Sequence, residues 1–158
     1  IQNPKLDVNS KVCFNSNVAA SVPTRKFIKL KMKEFENHYF IGQVVNELRS
    51  IYLGAPYEYK IEYNFRNVTD KIYQDGRLRF FCNVPKWMEF LNDSDLTFGS
   101  RLHGNIAAVL AGTPALLVTK DSRTRELAEY HHLNAIHESK LNEKLTLQDL
   151  GTAGFYAD

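Results

Sequence analysis

The chain has little of what usually announces a function. It holds two cysteines, Cys13 and Cys82, too far apart for a metal or redox motif. They read as buried thiols of a reducing compartment, with a disulfide between them left open. No apolar run approaches the length of a membrane span. Charge of one sign is lacking too: 20 Lys and Arg stand against 18 Asp and Glu, a formal net charge of +2. That balance excludes the strongly basic surface of a nucleic-acid binder. Neither G-x-G-x-x-G nor the phosphate-loop lysine is present. There is no internal repeat and no low-complexity tract. His131, His132 and His137 have no acidic or cysteine companions at ligand spacing, so they do not form a zinc set. The first residues, IQNPKLDVNSK, are polar and form no signal peptide. The start without methionine reads as a piece of a longer protein, with Ile1 near a domain boundary. Asn67-Val68-Thr69 fits a glycosylation acceptor, and without a secretory signal it reads as a chance match.

What is present is an ordinary globular composition, 44% hydrophobic and 24% charged over 158 residues. This suffices for one domain with a real core. Residues 11–16 read as a buried strand. Residues 24–38 read as a basic amphipathic helix with Ile28, Met32 and Phe35 on one face, Phe27 and Leu30 beside it, and Lys and Arg over the rest. Such a helix suits a solvated surface better than a membrane. Residues 38–54 fit a strand over Tyr39–Val45 or a helix over Val44–Leu53 ended by Gly54. Residues 55–76 form an irregular, tyrosine-rich insertion or arm that ends in the turn Asp75-Gly76.

From Arg77 the pattern alternates. Strand 77–82, helix 84–92, strand 95–98, helix 101–111, strand 114–118 and helix 122–131 follow in order, and Thr146 caps a last short helix. This alternation predicts an α/β, Rossmann-like three-layer domain with a mostly parallel sheet. Helix 101–111 carries a stripe of Leu102, Ile106, Val109 and Leu110, expected to face the sheet.

The richest stretch is the junction after strand 95–98. Ser100 is the expected N-cap, and Arg101 and His103 fall in the first turn. Free N–H groups and the helix dipole favour an anion there. A guanidinium supplies a planar fork for phosphate or carboxylate, and an imidazole moves a proton near neutral pH. Inside one helix the two side chains point about 160° apart. They converge only if Arg101 sits at the cap. A second junction, Lys120–Glu126, places Ser122, Arg123 and Thr124 at the same end of the sheet, with Asp121 or Ser122 as cap. Against both stands a plain reading: a packed histidine and solvated helix starts with local ion pairs.

The blocks DLTFGSRLHGN at 95–105, AA at 107–108 and AGTP at 111–114 resemble the signature of the polysaccharide pyruvyl transferase family. DSRTREL at 121–127 resembles the block that follows it. The resemblance covers about residues 84–135. It implies the C-terminal half of a GT-B-like fold, two Rossmann-like halves facing a cleft, with the N-terminal half in the same protein. It implies transfer of a pyruvyl group from phosphoenolpyruvate to a sugar of a surface glycan or a lipid-linked acceptor, leaving a ketal and phosphate. Arg101 would bind the donor's phosphate or carboxylate. His103 would contact it and protonate the methylene carbon. Ser100, Gly104 and Asn105, with Ser122, Arg123 and Thr124, would complete the donor site. No metal or other cofactor is required, since arginines can neutralise the donor. The implied setting is cytoplasmic, near the inner face of a membrane. Two other readings compete. One is a nucleotide-sugar glycosyltransferase half, favoured by an acidic residue placed for ribose hydroxyls. The other is a non-catalytic glycan- or protein-binding domain, favoured if Arg101 and His103 turn into the core.

Overall fold

The computed structural model describes residues 4–17, 20–53 and 70–152. Six strands run parallel: β1 (Lys11–Asn15), β2 (Asn37–Gly42), β3 (Leu78–Phe80), β4 (Leu96–Gly99), β5 (Ala115–Thr119) and β6 (Asn134–His137). Their order across the sheet is β3-β2-β1-β4-β5-β6. The chain works outward from β1 in one direction, then crosses over to β4 and works outward in the other. The reversal falls between β1 and β4, where neighbouring crossovers leave a crevice beyond the strands' carboxyl ends.

Helices cover both faces, and side-chain alternation along each strand feeds the two layers. Val12 and Phe14 of β1, Phe40 of β2, Leu96 and Phe98 of β4, and Leu116 and Val118 of β5 enter one core. There they meet Phe27, Ile28 and Met32 of α1 (Val22–Met32), Ile72 of α3 (Lys71–Gln74) and Leu147 of α7 (Leu147–Thr152). Phe98 meets Phe14 edge-on, with ring centroids 6.2 Å apart, and stacks tilted on Phe27 at 5.7 Å. On the other face Cys13, Ile41 and Ala115 meet α4 (Val84–Asn92) and α5 (Leu102–Leu110). Leu117 meets Ala128 of α6 (Ser122–Tyr130). The α/β three-layer architecture with a parallel sheet is as the alternation predicts.

Several expectations change. The helix expected over 24–38 ends at Met32, and its last residues give way to a turn and the start of β2. Backbone N–H groups of Glu34 and Phe35 close three-residue turns on Lys31 and Met32, and Glu36 N–H reaches back to Val8 O at 2.9 Å. Leu30, expected beside the apolar face, is 38% exposed. Residues 38–54 hold both alternatives in series, β2 and then α2 (Val45–Leu53). Of the expected insertion, 54–69 lie outside the described residues, as does Asn67-Val68-Thr69. Residues 71–74 are helical rather than irregular. Strand β6 escapes the sequence pattern because only Ile136 of its four residues is fully buried.

The face of α5 is corrected in part. Gly104, Asn105, Ala107 and Ala108 are the buried positions, whereas Leu110 is 71% exposed. Small side chains let the helix sit close on the sheet, and Leu102, Ile106 and Val109 pack sideways against Leu117, Ala128 and Leu133. Gly112 ends α5 with φ +87°. Thr113 N–H bonds Ala108 O and Gly112 N–H bonds Val109 O, a Schellman stop. His132, at φ 54°, plays the same part after α6.

The cysteines are both free. Cys13 is buried beside Ser94, and burial pushes its thiol up to about 11. Cys82 is exposed rather than buried.

Candidate functional site

The site is built where the sheet reverses. Asn15 ends β1 with only 1% of its surface exposed. Its side-chain Oδ1 accepts the Arg101 N–H at 2.9 Å, and its backbone carbonyl accepts the Ser100 N–H at 3.4 Å. Ser100 Oγ in turn accepts the Asn17 N–H at 3.0 Å. The loops after β1 and β4 are therefore clasped together. Gly99 makes that approach feasible: a Cβ there would lie 2.0 Å from the Asn15 carbonyl oxygen. At Gly104 a Cβ would lie 2.5 Å from Gln43 Nε2 and 3.0 Å from Asn15 Nδ2. Both glycines serve close approach of backbone and side chain.

Arg101, not Ser100, is the N-cap of α5, in extended geometry at φ −87° and ψ 117°. Ser100's hydroxyl is engaged with the β1 loop and gives the helix no cap bond. Asn105 donates its amide to Gly99 O at 3.3 Å and Arg101 O at 2.8 Å, tying the strand end to the helix start. Asn105 is fully buried, so its part is to hold the junction's backbone.

The Arg101 side chain turns inward. Its Nη2 lies 2.8 Å from Oε1 of Glu47, and the two side chains are 13% and 2% exposed. Glu47 is the third residue of α2, and its other oxygen accepts the backbone N–H groups of Gln43 and Val44. That is the carboxylate half of a capping box. Arg101 is thus braced by a buried carboxylate that is itself fixed by backbone donors.

His103, two residues on, remains exposed. It lies on the rim of a recess of about 270 Å³ lined also by Ile41, Gly42, Gln43, Phe80, Phe81 and Trp87. Arg101 and His103 have different company: Arg101 pairs with Glu47, which also accepts the Gln43 N–H, whereas His103 lines the recess together with Gln43. Buried polar atoms without partners gather at this end of the sheet. They include Asn17 Oδ1, Gln43 Nε2, Trp87 Nε1, Arg101 Nε and Asn105 Oδ1. Such atoms are uncommon in folded proteins and mark places where a ligand or water completes the bonding.

Ser122, Arg123 and Thr124 open α6 at the same end of the sheet, one strand beyond β4. Asp121 is the cap, accepting from Thr124 N–H at 2.8 Å and Thr124 Oγ1 at 2.6 Å. Those hydrogen bonds hold the Asp121 carboxyl below the usual carboxylate range. Thr124 is committed to this local cap, and Ser122 and Arg123 are exposed. Among the described residues, no three His, Cys, Asp or Glu side chains gather closely enough to hold a metal ion. No helix there is long and apolar enough to cross a membrane.

Sequence reasoning missed Asn15, Gln43, Glu47 and Trp87. Glu47 was partly visible as an acidic third residue of a helix. Its reach to Arg101, 54 residues away, was not.

An open parallel sheet in this strand order, with a polar junction at its switch point, defines a Rossmann-type domain. The chain belongs to the polysaccharide pyruvyl transferase family, whose model matches residues 27–122. That match spans Glu47, Trp87, Arg101 and His103. No curated protein matches the chain. Among solved structures, the crystal structure of the glycotransferase of kitacinnamycin is similar at a TM-score of 0.48 and 11% identity, over 87% of this chain and 33% of that one. The chain therefore spans about a third of that protein's length.

Proposed function

We propose that this chain is the donor-binding half of an enzyme that transfers a pyruvyl group from phosphoenolpyruvate to a sugar of a surface polysaccharide. The reading rests on family membership, and the observation that carries it locally is the α5 start. There the free N–H groups of Leu102, His103 and Gly104 stand beside an exposed imidazole at the switch point. The donor's phosphate binds those N–H groups. His103 gives a proton to the methylene carbon, the C2–C3 double-bond electrons form the new C–H bond, and C2 becomes electrophilic. One sugar hydroxyl adds to C2, a second displaces phosphate, and the products are a cyclic ketal and inorganic phosphate. The proton balance closes because the two hydroxyls each lose a proton, one restoring His103 and one leaving with the phosphate.

Arg101 acts differently from a free anion fork. Glu47 neutralises it and fixes its position, leaving Nε as a buried donor without a partner. Phosphoenolpyruvate carries both a phosphate and a carboxylate. One paired arginine and a helix start do not balance that charge, so further cations come from a second domain of a longer protein. Ser100 and Asn105 hold the junction's shape, and Ser122, Arg123 and Thr124 flank the donor's outer side.

The geometry bears on the competing readings. A nucleotide-sugar site calls for a free carboxylate beyond β2. Among the described residues the carboxylate there is Glu47, and both its oxygens are engaged. A non-catalytic domain calls for both side chains in the core. Arg101 turns inward, but onto a carboxylate, and His103 stays exposed.

Calorimetric titration of phosphoenolpyruvate, beside a panel of nucleotide sugars, into the full-length protein and its His103→Ala and Arg101→Ala variants tests the proposal. Saturable phosphoenolpyruvate binding weakened in both variants is expected. No binding, or binding equal in all three proteins, overturns it.

A further inference from the structure

The recess beside His103 has the wrong chemistry for the donor and the right chemistry for a sugar ring. Among the described residues its lining is Ile41, Gly42, Gln43, Phe80, Phe81, Trp87 and His103, with no lysine or arginine. A trianionic donor gains nothing from such walls. At about 270 Å³ the space falls below the roughly 300–1,000 Å³ of drug-sized ligand sites, room for a single ring rather than a nucleotide. Phe80, Phe81 and Trp87 are each partly exposed. Phe81 is held by Phe90, at 5.1 Å between ring centroids. Aromatic walls of this kind suit the aliphatic C–H face of a pyranose. Two of the lining side chains, Gln43 and Trp87, hold buried N–H donors with no acceptor. Sugar hydroxyl oxygens are acceptors. A buried donor without a partner carries a desolvation cost that a ligand oxygen relieves.

We infer that this recess is the acceptor subsite and that it takes one neutral pyranose ring, stacked on the Phe80–Phe81–Trp87 wall with His103 at its edge. The inference rests on the pyruvyl-transfer reading and deepens it. Both reactants would then meet on this half of the cleft, on either side of His103: the donor anion at the α5 start and the acceptor ring in the recess. The second domain supplies charge for the donor rather than the platform for the sugar.

Trp87 is the chain's single tryptophan, so its indole N–H is a unique reporter inside the recess. The test is a nitrogen–proton correlation spectrum of the labelled full chain. It is titrated separately with methyl β-galactopyranoside, methyl β-glucopyranoside, phosphoenolpyruvate, inorganic phosphate and uridine diphosphate. At least one glycoside is expected to move the indole resonance saturably, while phosphoenolpyruvate moves the backbone amides of Leu102–Gly104 and leaves the indole in place. Phe81→Ala should weaken glycoside binding about tenfold and leave phosphoenolpyruvate binding unchanged. Trp87→Phe keeps the apolar wall and removes the donor. It should weaken the glycoside too, read from the amides of Gly42 and Gln43.

An indole that no glycoside moves overturns the inference. So does one that moves with phosphoenolpyruvate or uridine diphosphate instead. Glycoside binding at the recess, with no phosphoenolpyruvate binding even to the full-length protein, leaves the subsite standing and sinks the pyruvyl-transfer reading.

Discussion

The junctions after β4 and after β5 look alike in sequence. GSRLHG and KDSRTRE each follow an apolar strand, open a helix, and offer arginine beside small hydroxyl side chains. In three dimensions they are opposites. The β4–α5 junction lies at the switch point, so β1 is its neighbour and α2 comes within reach. Its polar groups are bonded across 54 to 86 residues of sequence: Arg101 to Glu47, and Arg101 to Asn15. The β5–α6 junction lies one strand outward, and apart from His137 Nε2 on the Lys120 carbonyl, 17 residues away, the bonds seen there are local. Asp121 caps onto Thr124, and Arg125 pairs with Glu129 one turn on. The first is a buried, cross-braced device and the second a solvated helix start. Position in the sheet, not composition, makes the difference.

Breaking the cross-bracing should have the largest effects. Gly99→Ala places a Cβ 2.0 Å from the Asn15 carbonyl oxygen. Backbone cannot yield as a flexible side chain does, so the change should cost about 3 kcal/mol or more. Urea denaturation followed by circular dichroism will show it, or the folded chain will fail to accumulate. Next comes Glu47→Ala. It strands a guanidinium that is 13% exposed, and removing one partner of a buried pair costs about 3–5 kcal/mol. The same denaturation series measures it. Stability unchanged by this substitution would mean that the brace is not one.

The other ends of the two helices extend the comparison. Helix α5 stops with Gly112 at positive φ, whereas α6 stops with His132 at φ 54°. Replacing His132 with glycine removes the steric cost of a side chain in that conformation. A gain of about 1 kcal/mol is expected, seen as a higher melting temperature. Arg125→Ala breaks only an exposed pair, with side chains 66% and 51% accessible. It should change stability by less than about 0.5 kcal/mol.

The smallest effect is a pH dependence at the outer junction. Asp121's carboxyl is held below its ordinary value by Thr124. A depressed carboxylate contributes stability above its unfolded value and loses it as pH falls through the folded one. Protection of the α6 amides from hydrogen exchange should therefore decline at acid pH below the ordinary carboxylate range. It should be independent of pH there in Asp121→Asn. A decline unchanged by that substitution would assign it to other groups.

The linear pattern was enough for most of the elements. The run PALLV reads as a strand covered on both faces, and β5 is buried throughout. Pro85 marks the start of α4, and Gly112 marks the end of α5. Its weak points were physical as well. Apolar spacing placed Leu102, Ile106, Val109 and Leu110 against the sheet; the first three do pack on Leu117 of β5, but Leu110 is exposed and the buried positions are Gly104, Asn105, Ala107 and Ala108. Periodicity reports hydrophobicity and not which face can approach closely. The two candidate side chains stood out in the sequence, yet their directions were not legible. Whether Arg101 faces an anion or a carboxylate depends on Glu47, and nothing in the sequence between them encodes that meeting.

By itself the sequence determined a parallel α/β domain, the junction at 99–104 and the family to which the chain belongs. These rest on local signals: periodicity, caps, stops and a block of adjacent residues. Tertiary structure alone decided that the junction sits at the sheet's switch point. It also decided that Glu47 takes Arg101, and that His103 shares a recess with the only tryptophan. Each of those needs segments tens of residues apart to meet, and strand order brings them together.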